Sequence, residues 1–112
     1  MLGASYMSLY KHRKAYKYLK MAAEEEPICQ TYVLLAVCAH EMGWETAAAS
    51  NYILAHELNA PGAAELLKGI SPLLTESFEK RGIFREAEEW RQRKLVRELL
   101  RAEARQSEIK NL

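Results

Sequence analysis

The stretch ICQTYVLLAVCAHEMGWETAAASNYILAHELNAP, residues 28–61, decides the fold. Apolar and small residues recur through it at helical spacing: Tyr32, Leu35, Ala36 and Ala39 before Gly43, then Ala48, Tyr52 and Ala55 before Pro61. Two such stripes separated by a glycine read as two helices folded back on one another. Gly43 ends the first, since glycine reaches the left-handed conformation without a steric clash, and Pro61 stops the second. Ala36 and Ala48 are small where the paired helices must approach closely. The unit is a helical hairpin.

The same words recur on either side. Leu35-Ala36-Val37-Cys38-Ala39 has counterparts in Leu2-Gly3-Ala4-Ser5-Tyr6 and in Leu74-Thr75-Glu76-Ser77-Phe78. The second-helix word Ala48-x3-Tyr52-x2-Ala55 has counterparts in Ala15-x3-Leu19-x2-Ala22, ending at Pro27, and in Ala87 with Trp90 beyond it. Ala15, Ala48 and Ala87 lie 33 and then 39 residues apart, against a period of about 34 for tetratricopeptide arrays. On these residues the chain resembles a tetratricopeptide-repeat (TPR) protein over roughly residues 1–95. The middle copy fits best. In the first, Tyr10 replaces the turn glycine; in the third, Arg91 and Lys94 stand where the pattern expects an apolar or small residue.

The resemblance implies an all-α, TPR-like α-solenoid of helical hairpins, one domain over residues 1–112 with units at 1–27, 28–61 and 72–95. Helices are expected near 1–9, 12–25, 29–42, 45–58, 63–69, 73–81 and 84–109. The 63–69 segment, bracketed by Pro61-Gly62 and Ser71-Pro72, accounts for the longer second spacing, with Ser71 as helix cap and Pro72 in the first turn. The last helix, 84–109, carries Leu95, Val96, Leu99 and Leu100 as an apolar stripe and is expected to cap the open end of the stack. The opening helix spans little more than two turns and leaves the helix of Ala15, Leu19 and Ala22 half covered. An obligate complex with a partner chain or a second copy is the expected remedy.

Composition agrees with one small globular domain: 112 residues, 49% apolar, 28% charged, net charge +1. Period-two alternation is absent, and no run of about eighteen apolar residues occurs. The N-terminal stretch lacks the apolar run of a secretory signal, so a cytoplasmic protein is expected. Cys29 and Cys38 match no metal or redox spacing and read as free thiols of a reducing compartment.

Charge is unevenly spread. Lys11, Arg13, Lys14, Lys17 and Lys20 occur with no acid before Glu24-Glu25-Glu26, which reads either as a solvated face or as a docking patch for an acidic partner or RNA. Arg93, Arg97, Arg101 and Arg105 repeat every four residues and so form one slanting row. Glu89, Glu98 and Glu108 lie within helical reach of that row, so a salt-bridged surface stands beside phosphate binding as its reading.

Catalysis finds no support. His12, His40 and His56 fall on different helices, and Cys38 and His40, two apart on one helix, point in nearly opposite directions. Aspartate is absent from the chain, as are a phosphate loop and a nucleophile elbow. No catalytic, cofactor or metal residues are assigned.

What remains is the inner face of the stack. Its candidate partner-binding residues are Ala4, Met7 and Ser8 in the first unit, Gln30, Val33, Val37, His40 and Glu41 in the second, and Glu76, Glu79 and Lys80 in the third. They lack the Lys and Asn set that TPR domains use to clamp a chaperone's C-terminal carboxylate. An apolar groove at Met7, Val33 and Val37 suits another polypeptide, as an amphipathic helix or extended peptide. The resemblance therefore implies a chaperone or adaptor, and size and repeat number are similar to those of type III secretion chaperones. The alternative is a structural subunit of a large, ribonucleoprotein-type assembly docked through the basic helices. No membrane association is expected.

Overall fold

The computed structural model describes the backbone of residues 2–110 and the side chains of residues 11–106. Six helices account for nearly all of it: α1 Leu2–Glu25, α2 Cys29–Glu41, α3 Glu45–Leu58, α4 Ala60–Ile70, α5 Pro72–Arg81 and α6 Ile83–Lys110. The protein is all-α, with no strand among the described residues.

The hairpin read from residues 28–61 is present as α2 and α3. Gly43, at φ 78°, makes the turn. Ala36 and Ala39 on α2 and Ala48 and Ala55 on α3 are fully buried, so the backbones meet through methyl groups, as the alanine positions require. α1 packs on α2, α4 lies on both α2 and α3, α5 on α4 and α6, and α6 on α3. The core is continuous through these contacts: Tyr52 of α3, Phe78 of α5 and Phe84 of α6 meet with ring centroids 5.1 to 6.1 Å apart, two of the three pairs edge to face.

Three expectations fail, each for a local reason. Residues 1–9 and 12–25 are not two helices: α1 runs unbroken from Leu2 to Glu25. Neither glycine nor proline stands between Leu9 and Lys14, so nothing interrupts the intrahelical hydrogen bonds. The first unit is consequently no hairpin, and the argument for a two-turn opening helix falls with it.

Pro61, expected to stop the helix of Ala48, instead sits in the first turn of α4. Asn59 ends α3 and caps α4 at once, its side-chain oxygen accepting from Gly62 N at 3.2 Å. Proline suits that turn because its missing N–H has no intrahelical partner there. The insert thereby grows to 11 residues.

The third failure is at the far end. Leu95, Val96, Leu99 and Leu100 are 41–65% exposed and take no part in the core cluster. α6 packs on α3 through Ile83, Phe84 and Ala87, then runs on past the core. The molecule measures 69 × 31 × 20 Å.

Candidate functional site

The described inner-face residues, Gln30, Val33, Val37, His40, Glu41, Glu76, Glu79 and Lys80, are not brought together in one groove. Val33 is fully buried in the core cluster with Ala63 and Leu67 of α4, because the inserted helix lies across this side of α2. Val37 is half-buried against the same cluster. His40 turns to the α2–α3 corner, where its Nδ1 lies 3.0 Å from Glu45 Oε1. Arg81 Nη1 donates to Glu45 Oε2 at 3.2 Å, tying the end of α5 to the same corner.

Gln30 and Glu41 are exposed at opposite ends of α2, about 16 Å apart at 1.5 Å per residue. Glu76, Glu79 and Lys80 are exposed on α5, with Lys80 Nζ 3.2 Å from Glu76 Oε1. α4 packs on both α2 and α5 and so stands where a shared groove would run. Ala4, Met7 and Ser8 lie outside the residues whose side chains are described.

Two other surfaces stand out. On α5, Leu73 is 79% exposed beside Glu76, Ser77, Lys80 and Arg81, which form a shallow depression. Leu74 and Phe78, one turn apart, are the buried pair of that helix. A residue directly before Leu74 is rotated about 100° from it, so its exposure follows from helical geometry.

The second surface is the projecting half of α6. Trp90, Lys94, Arg97, Glu98 and Arg101 line a cleft with Glu57 of α3, and Lys94 Nζ lies 3.8 Å from Glu57 Oε2. The Arg93 guanidinium stands 5.6 Å from the centre of the Trp90 ring, within cation–π range. Among the described residues Arg97, Arg101 and Arg105 make no ion pair; Glu108, named beside that row, lies outside the residues whose side chains are described. An exposed tryptophan in this cleft is the feature that sequence reading passed over.

Beneath that cleft a polar clamp joins α3 to α6. His56, buried, places Nε2 2.6 Å from Glu88 Oε2. Arg91 Nη2 donates to Glu88 Oε1 at 2.6 Å and Gln92 Nε2 at 3.0 Å. The Arg91 bonds, then those of His56 and Gln92, hold the Glu88 carboxyl well below the usual carboxylate range. Tyr52 Oη and His56 Nδ1 are buried without a protein partner. Burial, and secondarily Cys29, pushes the Tyr52 hydroxyl up, so it stays protonated.

Burial also raises both thiols, Cys29 and Cys38, which are free and so are poor nucleophiles. Among the described residues no group of three His, Cys or Glu side chains could hold a metal ion, and no helix is long and apolar enough to cross a membrane. Compared with known proteins, the chain matches no family model, no curated protein and no solved structure.

Proposed function

We propose that the chain is a non-catalytic helical interaction module, a chaperone or adaptor of TPR type that binds a helix or peptide of another polypeptide. Large apolar side chains left uncovered on two surfaces carry this reading: Leu73 on α5, and Leu99 and Leu100 on α6, are each at least 60% exposed. Apolar residues in contiguous exposed patches, rimmed by charge, are the usual mark of a protein-binding surface. The TPR-like words of the sequence and the α2–α3 hairpin support the class; a type III secretion chaperone is its narrowest form.

Affinity capture from native extract with the intact chain as bait, read by mass spectrometry, tests the reading. Specific polypeptides are expected, and Leu73→Glu or Leu99→Glu is expected to deplete them without changing helicity. A mock-like profile would overturn it. The second reading, a subunit of a ribonucleoprotein assembly, is favoured by Arg97 and Arg101, without an ion pair among the described residues, beside exposed Trp90. Its signature is RNA retention that falls steeply with salt.

A further inference from the structure

We infer that the cleft between α3 and α6, with the basic face of α6 beyond it, binds single-stranded RNA, one base against Trp90 and successive phosphates on Arg97 and Arg101. The inference rests on the ribonucleoprotein reading and gives it a site. At about 100° per residue, Trp90, Lys94, Arg97, Arg101 and Arg105 fall within about 80° of one another around the helix. Ile83 and Ala87, which pack into the core, lie on that same side. α6 thus turns one continuous face first to α3 and then, past Glu57 and the end of α3 at Leu58, to solvent. The residues change with the surroundings: apolar where α3 lies opposite, an indole and cations where it does not. Arg97 and Arg101 are exposed and make no ion pair among the described residues, whereas Lys94 lies 3.8 Å from Glu57. The leucine stripe is centred on the opposite side of α6 and takes no part.

The chemistry of that face selects the occupant. Arg97, Arg101 and Arg105 follow one another about 6 Å apart along the axis, a positive track rather than a pocket for one anion, and a strand with a charge on every unit matches a track. At its inner end Trp90 is 42% exposed in a cleft of about 270 Å³, smaller than the roughly 300–1,000 Å³ of sites that enclose a whole small molecule. That space suits one flat ring. The Arg93 guanidinium, 5.6 Å from the indole centre, adds a second plane on which bases stack. An aromatic platform at the head of a positive track is how proteins hold single strands, whereas a duplex hides its base faces. An acidic protein segment would meet a face whose one large apolar side chain beyond the core is Trp90, without the apolar centre that protein contacts use. Glu98 also lines the cleft with no ion pair among the described residues. A carboxylate beside phosphates repels them unless it accepts a hydrogen bond, and the ribose 2′-hydroxyl, which DNA lacks, is such a donor.

Fluorescence anisotropy of the purified full chain tests this with a labelled RNA of about 12 nucleotides that has no self-complementarity. Saturable binding that weakens as salt rises is expected, with single-stranded DNA of the same sequence and the RNA duplex bound less tightly. Trp90→Ala should weaken RNA binding about tenfold, with unchanged circular dichroism. Arg97→Gln with Arg101→Gln should lower the slope of log affinity against log salt by about 1.4, two phosphates at about 0.7 each for a single strand. In a Trp44→Phe background, where Trp90 is the one remaining tryptophan, RNA should quench the indole emission. Equal affinity for the duplex or for DNA, or displacement of the RNA by polyglutamate at matched charge, would overturn the inference. RNA bound as tightly by both variants as by wild type, without quenching, would put it on another basic face, such as Lys17 and Lys20 of α1; this site then falls and the ribonucleoprotein reading stands. No RNA binding by wild type even at low salt removes both.

Discussion

Gly82 ends α5 at φ 71° and ψ 21°, and a Cβ built there meets nothing within 4 Å. The cost of Gly82→Ala is therefore backbone strain alone, about 1–2 kcal/mol of stability. Gly69, within α4 at an ordinary helical φ and equally open, provides the contrast. Gly69→Ala should stabilise by about 0.5 kcal/mol, because alanine leaves the unfolded chain less freedom to lose. Urea melts of the two variants should move in opposite directions. Glu88 makes a different prediction, one of pH. Its carboxyl titrates lower in the folded protein than in the unfolded chain. Its contribution is therefore complete above the ordinary carboxylate range and fades as pH falls from about 4 toward the lower folded value. Thermal melts of wild type and Glu88→Gln should thus differ at neutral pH and converge in acid; a constant gap would deny the clamp. The Gly43 turn was legible in the sequence because it depends on neighbours in the chain. The His56–Glu88 bond was not, because it joins residues 32 apart on two helices whose relative placement no local pattern specifies.

Elements follow the same division. α2 and α3 were readable to within a residue or so because their apolar stripes and the glycine turn between them agree. The repeat analogy misled where it overrode local chemistry: a turn was expected near Tyr10 though no residue there breaks a helix, and Pro61 was read as a stop though Asn59 already supplies the cap. The groove residues went astray for a related reason. Val33 lies on the expected face of α2, but α4, longer than the 63–69 insert, occupies it. Ala48 tests the register of the pair that remains. It is fully buried where α2 meets α3, so Ala48→Leu forces extra carbons between two backbones held at methyl distance. A loss of about 1–3 kcal/mol is expected in chemical denaturation. A neutral result would mean that the two helices do not approach at this residue.

At the scale of the molecule, shape is the quantity to measure. The Cα radius of gyration is 17.4 Å, whereas a compact domain of this length would have about 13 Å. Two long helices contribute to the excess, the 24-residue α1, packed chiefly on the shorter α2, and the 28-residue α6; the composition of α6 explains why it stays extended. Residues 91–106 contain no glycine or proline and are mostly Arg, Lys, Leu, Glu, Gln and Ala, the residues that lose least on entering a helix. The packed turns at Ile83, Phe84 and Ala87 supply the nucleus that an isolated helix must form unaided. Folding back onto the body would require breaking this helix at a point where no residue favours a turn. Small-angle X-ray scattering at low protein concentration should therefore give a radius of gyration close to the extended figure. Leu95→Ser with Leu99→Ser should leave it unchanged, since these side chains are 41% and 65% exposed and take no part in the core cluster. A value near that of a compact domain, or a fall from wild type to a variant that loses the stripe, would place the leucines against the body and remove the exposed surface on which a partner is proposed to dock.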